Sequence, residues 1–251
     1  MIKRARLAFM LAISLCGGIA GIGAASPCRQ ALALGLDVSG SVSRQEYRLQ
    51  IEGLAGALQD AEVKRALLST PELPVHLMVF EWSAPEFQRI LLNWTAVDSA
   101  ETLLRITQTL ALTRRAPAPP GTAVGTAMQF GVAQLAQVPG CWKHTLDLSG
   151  DGLHNMGPSP HIIKARLDGS AITINGLVIG ADTQDSTDTR MAQIGELVAY
   201  FQARVIHGPD AFVETALGFE DFQAAMTRKL LRELAVVVLS QSPPSHRKPA
   251  Q

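Results

Sequence analysis

The chain has 251 residues, 47% of them apolar and 5% aromatic, with 22 Lys and Arg against 22 Asp and Glu, enough apolar material for one sizeable α/β domain or two small ones. The low charge excludes a disordered acidic or basic chain, and the lack of a Lys/Arg excess argues against nucleic acid as the main partner. Three cysteines are too few for a disulfide-built scaffold and lack the paired spacing of a zinc site.

The first segment reads as an export signal over residues 1–25. Lys3, Arg4 and Arg6 precede the apolar run Leu7 to Cys16, and the small residues Ala24-Ala25-Ser26 offer a cleavage point. Cleavage after Ala25 or Ser26 is the favoured reading; the alternative is a retained anchor, because Leu7 to Ala25 is nearly long enough to span a bilayer. Without Lys3, Arg4 and Arg6 the 22 basic residues become 19 against 22 acidic ones, a net charge of −3. Cys16 leaves with them, so Cys28 and Cys141 remain as a pair. The processed protein is expected to be exported, periplasmic or secreted, with no membrane span.

Apolar β-rich runs then alternate with helical patterns. Strands are expected at Ala31–Leu36, Val75–Phe80, Arg89–Asn93, Thr145–Leu148, Ile172–Ile179 and Ala203–Ile206. Helices are expected at Gln45–Gln59, Ser99–Leu112, Val124–Ala136, Pro160–Leu167, Arg190–Ala199 and Phe219–Leu234. Near-continuous apolar strands alternating with helices predict an α/β fold, a mostly parallel sheet covered by helices on both faces. The short Ser83-Ala84-Pro85 connection makes the second and third strands an antiparallel hairpin. One domain over residues 29–240 is the economical reading, followed by a Pro-rich disordered tail, 241–251.

In such sheets ligands bind beyond the carboxyl ends of the strands. The first strand leads into Asp37-Val38-Ser39-Gly40-Ser41, where alternate residues share a direction and Gly40 lets the chain curl. The fourth leads into Ser149-Gly150-Asp151-Gly152, and the turn Pro119-Pro120-Gly121-Thr122 adds a third hydroxyl. Two carboxylates and three hydroxyls suit a hard cation such as Mg²⁺ or Mn²⁺ and not zinc. Without a cation, carboxylates about 6 Å apart would repel by about 3 kcal/mol at an effective dielectric near 20. The competing reading is a tight strand-to-helix turn in which a serine of DVSGS caps the following helix.

The D-x-S-x-S run, the later Thr loop and the later strand-end Asp resemble the metal-ion-dependent adhesion site (MIDAS) of von Willebrand factor A (VWA) domains. In detail the chain resembles an exported bacterial family of VWA-like proteins of uncharacterised function. The resemblance is carried by LALGLDVSGSV (32–42), FEW (80–82), NWT (93–95), GTAVGTAM (121–128), LDLSGDGLHNMG (146–157), ITINGLVIG (172–180), GPDAF (208–212) and RKLLREL (228–234). It departs from the family pattern at Phe201, where a second tyrosine is usual, and at His207, where a glycine is usual. It implies a three-layer Rossmann-like VWA fold with one antiparallel edge strand, and Asp37, Ser39, Ser41, Thr122 and Asp151 around one Mg²⁺. It also implies neighbouring first and fourth strands, which would bring Cys28 and Cys141 to the same edge; a disulfide there would contribute up to about 5 kcal/mol in the chain-entropy model.

Asn155, Asp182, Asp185 and Asp188 are candidates for the rim of the site or its support. Asp147, inside a strand, reads as a buried structural carboxylate; His144 and His154 read as ordinary core or surface histidines. Packing is the reading for Trp82 and Trp94. The leading function is an exported adhesion or assembly module that captures an Asp or Glu carboxylate of a protein partner through the metal. The alternatives are a metal-assisted hydrolase and a domain whose metal only stabilises the fold. The enzyme reading is disfavoured because no G-x-S-x-G elbow, phosphate loop or G-x-G-x-x-G motif occurs in the sequence.

Overall fold

The computed structural model describes residues 27–180 and 187–235. Among these, six strands form one sheet: β1 (Cys28–Asp37), β2 (Val75–Trp82), β3 (Gln88–Val97), β4 (Cys141–Gly150), β5 (Ile172–Ile179) and β6 (Val213–Ala216), in the order β3-β2-β1-β4-β5-β6. Only the edge strand β3 is antiparallel, as its short connection to β2 requires. The helices are α1 (Arg44–Gln59), α2 (Ala61–Leu67), α3 (Ala100–Leu112), α4 (Val124–Leu135), α5 (Pro160–Arg166), α6 (Thr187–Arg204) and α7 (Phe222–Leu234). This is the three-layer α/β architecture expected from the alternation of runs. The export-signal residues and the 241–251 tail lie outside the described residues.

The apolar residues of β1 divide by parity. Leu32, Leu34 and Leu36 pack with α1, α2, α3 and α7, whereas Ala31 and Ala33 face the second core with α4, α5 and α6. A strand buried on both faces favours apolar residues on both, hence the unbroken run Ala31–Leu36.

Two elements differ from expectation. Ala203–Ile206 is not a strand. Ala203 and Arg204 end α6, and the amides of Val205 and Ile206 both donate to the Phe201 carbonyl, so the turn buries Val205. The edge strand is instead Val213–Ala216, whose four residues include Glu214 and Thr215 and give little apolar signal. Helix α2 was not anticipated. Asp60 separates it from α1 alone, and its carboxylate accepts from the Glu62 and Val63 amides as the α2 cap.

Cys28 and Cys141 stand opposite each other in the β1–β4 register and are joined by a disulfide across 113 residues. Replacing both by serine is expected to cost about 2–4 kcal/mol, which for a domain of this size lowers the melting temperature by about 5–15 °C. Thermal denaturation of the oxidised, reduced and double-serine proteins checks this.

The α1/α7 face of β4 carries polar residues where its neighbours carry leucines. Gln30 Nε2 donates to Thr145 Oγ1 at 3.0 Å. Asp147 pairs with the fully buried Lys229 at 3.0 Å, and Lys229 pairs with Glu233 at 2.7 Å. Glu233 also accepts from Asn175 Nδ2 at 2.6 Å. Ser149 donates to Gln50 Oε1 and to the Gly35 carbonyl, each at 3.3 Å. A polar seam therefore runs inside the sheet–helix interface, and Asp147 belongs to it.

Candidate metal centre

Strands β1 and β4 are neighbours, yet β1 is followed by β2 on one side and β4 by β5 on the other. Their carboxyl ends therefore diverge at a switch point and leave a crevice. The loop after β1 brings in Asp37, Ser39 and Ser41; the loop after β4 brings in Asp151.

Four of the expected residues meet there. Ser39 N–H donates to Asp37 Oδ1 at 2.8 Å, the Ser39 and Ser41 hydroxyls lie 3.2 Å apart, and Ser41 Oγ donates to Asp151 Oδ1 at 2.7 Å. Neither serine caps α1. That role belongs to Ser43, which accepts from the Glu46 amide while the Glu46 carboxylate accepts from the Ser43 amide at 2.6 Å. A dedicated capping box removes the reading of DVSGS as a helix cap.

Thr122 comes from the third loop. Gly40 N–H donates to the Pro120 carbonyl at 3.0 Å, and a Cβ on Gly40 would lie 2.8 Å from Pro120 Cβ, so this approach of loops requires glycine. Asn155 brackets Thr122: its Oδ1 accepts from the Thr122 amide at 2.9 Å, and its own amide donates to the Thr122 carbonyl at 3.0 Å. Helix α4 starts from Ala123 without a side-chain cap, so the Thr122 hydroxyl is not used to cap it. Asn155 is thus a support of the loop.

Asp37 is wholly buried, and its Oδ2 has no hydrogen-bond partner. Gly150 makes room for that oxygen, since a Cβ there would lie 3.2 Å from it. From below, Gln50 Nε2 donates to the Asp37 carbonyl at 3.0 Å, fixing the strand end to α1. Burial, reinforced by the charge of Asp151, pushes the Asp37 carboxyl up to about 8 against the hydrogen bonds from Ser39. Burial raises Asp151 as well, opposed by the Ser41 bond. A buried, unpartnered carboxylate oxygen beside a second carboxylate and two hydroxyls is a costly arrangement without a counter-charge. An all-oxygen donor set of this kind fits a hard divalent cation.

The remaining candidates separate. Asp188 is exposed in the first turn of α6, and Asp182 and Asp185 lie outside the described residues. Trp82 is buried, and Trp94 Nε1 donates to the Gln134 carbonyl at 3.2 Å, so both serve packing. His144 contacts the Val138 carbonyl, and burial lowers His154. At the opposite edge His76 lies with Cys28 and Cys141 within 4.8 Å, but the two sulfurs are bonded to each other and supply no thiolates. Among the described residues no helix is long and apolar enough to cross a membrane.

The chain belongs to the family described as "protein of unknown function (DUF1194)", whose model matches residues 27–238. No curated protein matches it. Among solved structures it is similar to proximal thread matrix protein 1 (PTMP1) from the mussel byssus, at 13% identity and a TM-score of 0.56, over 83% of this chain and 48% of that one. A further structure of that mussel protein, at 14% identity and TM-score 0.56 over 83% and 46%, has a zinc-occupied MIDAS motif. The pilus adhesin SpaC from Lactobacillus rhamnosus GG is similar at 13% identity and TM-score 0.53, over 82% and 30%. An aerotolerance-related membrane protein from Bacteroides fragilis NCTC 9343 is similar at 11% identity and TM-score 0.50, over 80% and 98%. The chain thus spans about half of the mussel protein and under a third of the adhesin. The fold is that of a VWA domain.

Proposed function

We propose that this is an exported VWA module that binds one Mg²⁺ or Mn²⁺ through Asp37, Ser39, Ser41, Thr122 and Asp151, and through it captures a carboxylate of a protein partner. The single observation that carries the reading is the buried Asp37 Oδ2 without a partner, set beside Asp151 and two hydroxyls that cap nothing. Hydroxyl ligands are neutral, so a bound cation would keep enough positive charge to attract an acidic side chain. Asp37 and Asp151 would supply the charge that retains the ion, and Asn155 and Gln50 would hold the loops in place. The metal-occupied motif of the mussel protein and the adhesin likeness agree with a binding role. A one-domain organisation over residues 29–240, after removal of residues 1–25, completes the proposal.

The test is a Mn²⁺ titration of the purified protein, read by electron paramagnetic resonance, with Mg²⁺ as competitor. One Mn²⁺ per chain, displaced by Mg²⁺ and lost in Asp151→Ala, is the expected result. A wild-type protein that leaves Mn²⁺ free at millimolar concentration would falsify the proposal.

A further inference from the structure

Beside the metal loop lies a cavity of about 610 Å³ lined by Arg44, Arg48, Arg114 and Arg115, together with Tyr47 and the stretch 116–118. Two stretches of chain about seventy residues apart bring these four guanidinium groups together. Arg44 and Arg48 stand on the first turns of α1, directly after the DVSGS loop. Arg114 and Arg115 stand at the start of the Pro-rich segment that leads to Thr122.

The cavity shares a wall with the metal loop. One terminal nitrogen of Arg115 donates to the Val38 carbonyl at 3.2 Å and approaches the Ser39 carbonyl at 3.4 Å, and its guanidinium lies 5.9 Å from the Tyr47 ring centre. The segment is held in place. Arg89 donates to the Arg114 carbonyl at 2.9 Å while its Nε bonds Glu81, which also accepts from the Tyr47 hydroxyl at 2.6 Å.

Charge in the cavity is poorly balanced. Arg48 pairs with Glu52 at 2.6 Å and reaches the Thr113 carbonyl at 3.0 Å. Arg115 is engaged with backbone oxygens. Arg44 and Arg114 are exposed, and neither forms an ion pair with an acidic residue among those described. Four arginines line the cavity, only Arg48 has an ion-pair partner among the described residues, and the nearby Glu46 carboxylate is turned to the Ser43 amide, so the lining attracts anions. Guanidinium forks match carboxylates in pairs of hydrogen bonds.

We propose that this arginine-lined cavity seats further carboxylates of an acidic peptide segment whose leading carboxylate reaches the metal centre. The proposal rests on the metal-dependent binding reading and narrows the partner to a protein with clustered Asp or Glu residues. A partner offering one isolated acid would leave Arg44 and Arg114 without a counter-charge.

Binding of a hexaglutamate peptide and of Gly-Gly-Glu-Gly-Gly to the purified full chain is compared by calorimetry in Mg²⁺ and in EDTA. The wild type is expected to favour hexaglutamate by about tenfold, given the usual worth of two or more exposed ion pairs. In the double variant Arg44→Gln/Arg114→Gln the two affinities converge and remain Mg²⁺-dependent; its melting curve reports whether the fold is retained. Equal binding of the two peptides by the wild type, or no binding of either, overturns the proposal, as does a preference that survives in the double variant. A single-stranded oligonucleotide that outcompetes hexaglutamate overturns the assignment of a protein partner. A preference for hexaglutamate that persists in EDTA but disappears in the double variant would uphold the cavity and sink the metal reading instead.

Discussion

On the proposed metal reading, Mg²⁺ is expected to raise the melting temperature of the wild-type protein and Asp37→Asn to abolish that rise. A ligand at a hundred times its dissociation constant stabilises a fold by about 2.7 kcal/mol, which corresponds to about 5–10 °C here. Asparagine keeps the shape of the side chain but removes the charge that retains a cation. The pH dependence of the metal-free proteins supplies an independent check. The Asp37 carboxyl is pushed from an ordinary 3.8 up to about 8 in the fold. Stability from this group is therefore fully present below about 3.8 and is lost as the pH rises through about 8. The metal competes with the same proton, so the Mg²⁺-induced rise should grow as the pH approaches 8 and shrink in acid. The Asn variant should lose the Mg²⁺ response and the Asp37 share of the pH dependence, keeping the shares of Asp147 and Asp151, whose carboxyls are also raised. Melting curves between pH 5 and pH 9, in Mg²⁺ and in EDTA, measure both effects, and an unchanged Mg²⁺ response in Asp37→Asn contradicts the assignment.

Lys229→Met is expected to destabilise the fold by about 3–5 kcal/mol, because it strands two buried carboxylates. For a domain of this size that lowers the melting temperature by about 6–20 °C. Burial alone would lower the Lys229 ammonium, but Asp147 and Glu233 outweigh it and hold it above its ordinary value. Burial in turn raises Asp147 to about 7, with Lys229 pulling it down and Glu233 pushing it up. Once the lysine is gone, protonation of Asp147 is the cheapest relief, so the variant's deficit should be smaller at pH 5 than at pH 8. Replacing Lys229, Asp147 and Glu233 together by apolar residues of similar volume is expected to cost less than Lys229→Met alone. A deficit that does not depend on pH, or a triple variant worse than the single, would show that packing rather than charge holds this cluster.

The layers were legible because their physical cause is local. A strand covered on both faces is mostly apolar, and Ile172–Ile179, polar only at Thr173 and Asn175, announced β5 with its observed bounds. The DVSGS and SGDG runs were legible for a related reason, since strand-end loops at a switch point are where polar residues can converge. What was hidden depends on the other end of a contact. Nothing near Asp147 in the sequence points to Lys229, and nothing near Arg44 points to Arg114. Ser43 was passed over as the α1 cap because Ser39 and Ser41 compete for that role until the backbone is seen. Asp60 concealed α2 by ending one helix and starting the next with no break in composition. At β6 the cause is the edge position: with four residues and one neighbour, packing against β5 decides the strand and the side chains barely signal it.

The disulfide edge has a consequence for how the molecule meets its surroundings. β1 starts at Cys28 and ends at Asp37, and α7 ends beside the start of β4, where Lys143 Nζ donates to the Glu233 carbonyl at 3.0 Å. Both ends of the main described chain thus emerge on one side, and the switch-point crevice opens on the other, about 30 Å away at the usual rise of a ten-residue strand. An attachment made directly at Cys28 or Leu234 would leave the crevice facing away from it. The covalent bridge sits where a pull on the N-terminal end would first act, so tension applied there loads a cross-link before it can peel β1 from the centre of the sheet.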